Sequence, residues 1–346
     1  MKHQTTRYGE IPFYKIGTFG NTADAFISKK LFLEYKTKYS FPKKGDILIS
    51  ASGTIGRAVI YDGKPAYFQD SNIVWIDNDE TLVKNDFLFY AYSNVKWNTE
   101  HTTILRLYND NFRNTLIPLP PLNEQSAIAN ILSGLDRYLC ALDALILKKE
   151  GVKKALSFEL LSQRKRLKGF NQAWQKVRLG DIANYLTSNL SVEQITQQGK
   201  IKVYDVNNFI GYTDTTFISD KPYISIVKDG SVGRVRILPP KTNILSTMGA
   251  LIANHRTTTE FLFYLLSNFD FKNFISGSII PHIYFKDYKE KTIFLPPLNE
   301  QSAIANILSD LDNEIASLKN KKRQFENIKK ALNHDLMSAK IRVLEK

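Results

Sequence analysis

The chain has 346 residues, 43% of them apolar, and its 47 Lys and Arg outnumber 34 Asp and Glu to leave a formal charge of +13. This composition is too apolar for a disordered chain, allows two or three domains, and favours a polyanionic partner, nucleic acid first among them. A single cysteine, Cys140, excludes a disulfide framework and fits a reducing cytoplasm, while no apolar run reaches the roughly 18 residues of a membrane span and residues 1–11 lack the apolar core of a signal peptide.

In chain order, Lys44-Gly45-Asp46 precedes a short β-run over 47–50; residues 51–54 read as a turn, 55–61 as a return strand and Asp62-Gly63 as the next turn. Residues 87–93 read as a short apolar helix. After Pro120-Pro121, Asn123 suits a helix N-cap and Glu124 places negative charge in the first turn. Apolar residues then recur mostly three or four apart, at Ile128, Leu132, Leu135, Leu139, Leu142, Ile146, Val152, Leu156 and Leu160. That stripe is a coiled-coil seam, and a helix of roughly 43 residues would run about 64 Å at 1.5 Å per residue.

The second half repeats the first. Residues 119–133 read LPPLNEQSAIANILS, and 295–309 read the same fifteen residues 176 positions on. Lys153-Lys154-Ala155-Leu156 returns as Lys329-Lys330-Ala331-Leu332, so 119–166 is duplicated in 295–342. The earlier parts repeat more weakly: residues 52–57 (SGTIGR) resemble 229–234 (DGSVGR), and the FLFY of 87–90 returns at 261–264. Strands are expected over 223–227 and 232–238, a helix over 261–267, and a second seam along Ile304, Leu308, Leu311, Ile315, Leu318, Phe325, Ile328, Leu332 and Leu336. A period of this length marks a duplicated domain, not a solenoid. The expected fold is α+β: two mixed α/β domains in a pseudo-two-fold arrangement, separated by an antiparallel coiled coil of two long helices. The boundaries are 1–118 for the first domain, 119–170 for the first long helix, 171–294 for the second domain and 295–346 for the second helix.

Side chains that read base edges or grip phosphates gather near the turns and loops. In the first domain these are Lys43, Lys44, Arg57, Gln69, Asn72, Arg106, Asn109 and Arg113. In the second they are Asn207, Asn208, Lys228, Arg234, Arg236, His282, Tyr284 and Lys286. The identical helix starts, Asn123-Glu124-Gln125 and Asn299-Glu300-Gln301, suggest two equivalent surfaces where two copies of one partner dock. No cofactor loop and no phosphate-binding GxxxxGK[ST] occurs, the five histidines have no metal-ligand spacing, and the glycine turns precede strands where a phosphate loop needs a helix. Cys140, beside Leu139 in the helix, reads as a core or seam residue, not a nucleophile. A non-catalytic DNA reader is therefore expected. Two other readings stay open on these residues: a coiled-coil protein-interaction scaffold, and an enzyme whose site is assembled from distant positions.

The domain–helix–domain–helix order, the duplicated LPPLNEQ helix starts, the GDILIS run and the G-x-I/V-G-R turns resemble the specificity subunit of type I restriction–modification systems, over nearly the whole chain. The resemblance implies that each domain reads one half of a bipartite site in double-stranded DNA and that the helices set the spacer. It further implies two docked modification subunits, which carry the S-adenosylmethionine site and methylate a flipped adenine, and restriction/translocase subunits that join them. One departure stands out. The second domain opens with residues 174–182, ending Val177-Arg178-Leu179-Gly180-Asp181-Ile182, but 11–19 of the first aligns with 201–209, an offset of 190. Roughly 24 residues of an opening segment are therefore expected to be missing from the first domain.

Overall fold

The computed structural model describes residues 4–68, 72–97 and 106–343. The first half begins with strands β1 (Ile11–Tyr14) and β2 (Ala25–Ile27) and helix α1 (Lys29–Lys38), whose first turn is capped by Ser28 accepting from the Leu31 N–H. Strands β3 (Ile47–Ser50), β4 (Ala58–Ile60), β5 (Tyr67–Phe68) and β6 (Ile73–Trp75) follow, then α2 (Asn85–Tyr92), the short α3 (Asn109–Arg113) and the 40-residue α4 (Leu122–Leu161). The second half contains β7 (Gln175–Arg178), β8 (Ala183–Thr187), β9 (Ile201–Tyr204), β10 (Phe209–Thr213), β11 (Tyr223–Val227), β12 (Val235–Leu238), β13 (Thr242–Ile244) and β14 (Met248–Ala253). It closes with α5 (Thr259–Ser267), the short α6 (Phe285–Tyr288), β15 (Thr292–Leu295) and the 40-residue α7 (Leu298–Met337).

These elements form two compact units. One comprises Met1–Asp143 with Asn320–Lys346, the other Ala144–Lys319. Each unit therefore combines one domain with the first part of its own long helix and the last part of the other. Both contain a three-stranded sheet with one parallel edge, β2-β1-β5 in the first and β10-β9-β13 in the second. Both also contain an antiparallel sheet: β4-β3-β6 in the first, and β12-β11-β14-β8 in the second. The mixed sheets, short helices and two long helices agree with the α+β expectation.

The second unit has more. β8 extends its antiparallel sheet by pairing with β14, and β7 pairs with β15 in a separate ribbon. Its main core gathers Trp174, Val177, Leu179 and Ile182 from this opening segment with Leu262, Phe271, Tyr288, Ile293 and Leu308. Among the described residues the first unit has no counterpart of β7 or β8, and residues 116–119, which stand where β15 stands, are not in a strand.

Within each unit the long-helix segments run antiparallel. In the first, Asp143 pairs with Lys322 at 2.7 Å, the Tyr138 and Phe325 rings lie 4.7 Å apart, and Asp136 pairs with Lys329, so one number falls as the other rises. In the second, Glu150 pairs with Lys319 at 2.6 Å and Asp312 with Lys153. Most seam residues are at least partly buried, Ile128, Leu132, Ile304 and Leu308 almost completely. Val152 and Ile328 depart from the expected seam, being 46% and 50% exposed. Their neighbours Lys153 and Lys329 turn to face Asp312 and Asp136, and a residue one step along a helix points about 100° away. The helix starts also differ from expectation. Gln125 N–H donates to Pro121 and Gln301 N–H to Pro297, each 2.9 Å, so the prolines cap the helices and Asn123 and Asn299 lie inside the first turn.

Candidate nucleic-acid interface

Each domain builds the same small module around a glycine turn. The β3–β4 hairpin of the first reverses through Gly53 (φ +68°) and Gly56 (φ +80°). Only glycine suits Gly56, because a Cβ there would lie 2.1 Å from the Trp97 indole nitrogen. In the β11–β12 hairpin, Gly233 (φ +82°) meets the Phe271 ring in the same way, its Cβ position 2.7 Å from the ring. The chain returns beside each turn: Ser52 bridges Arg106, and Leu107 N–H donates to Ala51; Asp229 bridges His282, and Ile283 N–H donates to Lys228. A short helix follows, α3 or α6. Turn, bridging residue and helix thus come together twice, with different side chains.

In the second unit the module opens a cleft of about 360 Å³ lined by Tyr185, Thr187, Lys228, Tyr284, Lys286 and Lys289 among others. The Lys286 ammonium stands 5.5 Å over the Tyr284 ring, and the Tyr284 and His282 rings stack at 6.4 Å. His282 Nδ1 lies 2.6 Å from Asp229 Oδ1. Three ammonium groups and the exposed Tyr284 ring at one opening can hold a phosphate backbone and meet a base. The other candidates of this unit form a second group. Arg234 donates to Asn207 Oδ1 and Arg236 to Asn207 O, each at 2.9 Å, and the Arg236 guanidinium packs on Tyr204, while Asn208 N–H donates to Asp205 in the turn that shapes Asn207. Tyr185, Thr187 and Lys289 were not expected. The repeat carried a signal for Lys289, which stands 176 positions after Arg113; Tyr185 and Thr187 reach the cleft only because β8 pairs with β14.

In the first unit, Arg106 and the α3 residues Asn109 and Arg113 are exposed beside the turn, and Arg57 donates to Phe19 O at 3.0 Å. Asn72 braces the turn, accepting from Ser52 Oγ through its side chain and from Ala51 N–H through its carbonyl. Lys43 and Lys44 belong elsewhere. They precede β3 and so lie at the end of that strand away from the turn; Lys43 pairs with Asp77 at 2.9 Å and the Lys44 methylenes pack under Gly63. Gln69 lies outside the described residues.

The duplicated helix starts are clamps, which corrects the expectation of exposed docking surfaces. Glu124, Gln125, Glu300 and Gln301 are all buried. Gln125 accepts from the Lys84 N–H and donates to the Leu82 and Pro120 carbonyls. Gln301 accepts from the Thr258 N–H and Thr257 hydroxyl and donates to the Arg256 and Pro296 carbonyls. Each carboxamide therefore ties the long helix to the start of α2 or α5. Glu300 takes a bidentate Arg166 (2.6 and 3.2 Å) and the Trp174 indole N–H (3.0 Å), and Glu124 takes Arg342 in the same bidentate manner. That guanidinium holds the Glu124 carboxyl below its usual range. Tyr90 donates to Asp136 at 2.8 Å and Tyr264 to Asp312 at 2.9 Å, and burial first, then the aspartates, push both phenols well above their ordinary pKa. Asn123 and Asn299 are exposed in the first turn.

A family model for the type I restriction modification DNA specificity domain matches residues 1–149 and 171–327. The chain belongs to this family. It is 65% identical over 133 residues to a protein of Haemophilus influenzae provisionally named a type I restriction enzyme specificity subunit; the match covers 38% of this chain and 34% of that relative, about a third of its length. It is 25% identical over 362 residues to the type I restriction enzyme MjaVIII specificity subunit of Methanocaldococcus jannaschii, covering 92% of this chain and 84% of the relative. The crystal structure of a type I restriction–modification system S subunit from M. genitalium superposes with a TM-score of 0.64 over 97% of this chain and 91% of that one, at 20% identity, a likeness of fold. The specificity-domain match occurs once per domain–helix repeat, so both modules belong to DNA-specificity domains, and the coiled-coil scaffold is not favoured. Among the described residues no His, Cys, Asp and Glu cluster suits a metal ion, and no helix is long and apolar enough to cross a membrane.

Proposed function

We propose that this type I specificity chain reads a bipartite site in double-stranded DNA, one half-site per domain, through the turn–bridge–helix modules. The observation that carries this reading is the contrast inside the repeat: Gly56 and Gly233 keep the same turn against an aromatic ring, while the bridging pair changes from Ser52 and Arg106 to Asp229 and His282. A preserved frame with exchanged polar side chains is what two readers of different half-sites require. The long helices set the spacer. Two modification subunits carry S-adenosylmethionine and methylate one adenine per half-site, restriction/translocase subunits join them in the cytoplasm, and this chain supplies recognition without catalysis. The cationic surplus and the lysine-lined cleft support the DNA reading.

The test is a single-molecule methylome of a methylation-free host expressing the modification subunit with and without this chain. Adenine methylation at a split, asymmetric motif only when the chain is present supports two readers. Methylation at a single half-site assigns recognition to one domain. Co-purification of the subunits without methylation overturns the reading.

A further inference from the structure

The second domain carries an apolar tip on the frame of its turn–bridge–helix module. Residues 276–282 form a tight loop whose ends pair: Ser276 N–H donates to His282 O at 2.9 Å and His282 N–H to Ser276 O at 2.7 Å. Gly277 (φ +88°) bends the chain inside it, where a Cβ would lie 2.3 Å from the Ile280 carbonyl oxygen. A third bond, from Gly230 N–H to Pro281 O at 2.9 Å, ties the loop to the glycine turn. The loop is therefore held in one shape before anything binds, and little ordering entropy remains to be lost on contact.

This braced loop turns apolar carbon to water. Ile279 is 92% exposed and Ile280 54%, while Ile275 and Tyr284 on either flank are 43% and 49% exposed. A lone exposed apolar side chain calls for no explanation, but four of them around one rigid loop mark a contact surface. Their surroundings say what covers them. Through His282 the chain leaves the loop into the cleft lined by Lys228, Tyr284, Lys286 and Lys289, whose ammonium groups select a polyanion. All four base pairs are distinguishable only in the major groove, where the base edges offer hydrogen-bonding atoms and a single apolar group, the 5-methyl of thymine. An isoleucine braced among polar readers has that methyl as its complement.

Resting on the DNA reading above, we infer that Ile279 selects a thymine in the second domain's half-site by covering its 5-methyl group, beside the base edge that His282 meets. Ile279 takes this role in preference to Ile280, which is half-covered and whose carbonyl lies against Gly277.

The experiment titrates the complex of the full chain with its modification subunit against duplexes carrying its methylation motif, with deoxyuridine replacing each thymine in turn. Deoxyuridine keeps the hydrogen-bonding edge and lacks only the methyl. One replacement, in the half-site that His282→Ala also weakens, should lower affinity by about three- to fivefold, the worth of one buried methyl. Ile279→Ser should weaken binding to the thymine duplex and cancel the difference between thymine and deoxyuridine at that position, and Ile279→Leu should keep it. Both variants change a side chain that faces water, so the fold is spared. Indifference to deoxyuridine at every position, or a difference that survives Ile279→Ser, overturns the inference and leaves the DNA reading standing. An Ile279→Ser loss equal on thymine and deoxyuridine duplexes assigns the tip to wedging between base pairs, and weaker co-purification of the modification subunit assigns it to a protein contact; either overturns the inference. Absence of sequence-specific binding by the wild-type complex overturns the DNA reading and the inference with it.

Discussion

The two units hold their domains with the same clamps but finish them differently. Gln125 and Gln301, buried and fully hydrogen-bonded, join each long helix to the start of a domain helix, and Tyr90–Asp136–Lys329 is matched by Tyr264–Asp312–Lys153. Around that common mounting, the second domain has the β7–β15 ribbon, the β8 edge strand and the Trp174–Glu300 bond, none of which has a counterpart among the described residues of the first. The difference teaches which contacts serve attachment and which serve the interior of a domain. Attachment joins apolar packing, Phe87 and Tyr90 against Ile128 and Leu132 in the first unit, to polar clamps of narrow geometry that recur in the second. The interior is apolar and closes over a range of shapes, so its lining can differ between the two domains.

Substitutions can break or sharpen this comparison. The largest effect is expected at the turns: Gly56→Ala and Gly233→Ala each combine a left-handed backbone with a ring collision and should destabilise their own domain by about 3–5 kcal/mol in denaturant unfolding. Similar losses in the two domains would show that the frame is shared, and a loss below about 1 kcal/mol at either would break the equivalence. Next come the clamps. Gln125→Leu and Gln301→Leu strand N–H and C=O groups and should each cost about 1–3 kcal/mol, the second more because Gln301 also takes the Thr257 hydroxyl.

Arg106→Ala and His282→Ala should leave folding almost unchanged while each weakens binding to its own half-site by about 1–3 kcal/mol, read by competition titration with half-site variants. Loss at the opposite half-site would break the pairing of module and half-site. The Glu124 carboxyl, held down by Arg342, gives a smaller and pH-dependent effect. A carboxyl with a lowered folded pKa contributes stability above its unfolded value of about 4.3, lost as pH falls through the folded value. Glu124→Gln should therefore lower Tm at neutral pH, and the gap to wild type should close in acid; a gap independent of pH would show that the ion pair does not set it. The smallest effect is expected at Val152→Lys and Ile328→Lys, within about 0.5 kcal/mol, because both side chains face water. A larger loss at either would return that residue to the seam.

Much of this was legible in the residues. The fifteen-residue identity and the two apolar stripes announce a duplicated unit with paired long helices, because a helical seam repeats at a spacing that the chain itself displays. The hairpins at 47–60 and 223–238 were legible for the same local reason: glycine-marked turns between β-branched runs declare themselves within a few residues. Of the candidate DNA contacts, Arg106 and His282 stand 176 positions apart, the offset of the repeat, so their equivalence was legible, whereas their bridges to Ser52 and Asp229, more than 50 residues away, were not.

What the order of residues determined by itself is therefore periodic or local: the repeat, the long helices, the hairpin turns and the cationic surplus. Tertiary structure alone decided that Glu124, Gln125, Glu300 and Gln301 face inward, that Lys43 and Lys44 lie away from the glycine turn, and that Val152 and Ile328 leave the seam. It alone decided which strands β7 and β8 pair with and which core residues the opening segment meets in the second domain. The physical reason is that a polar side chain carries no mark of its partner in the sequence; whether it meets water, DNA or a buried carbonyl depends on distant segments that only folding brings beside it.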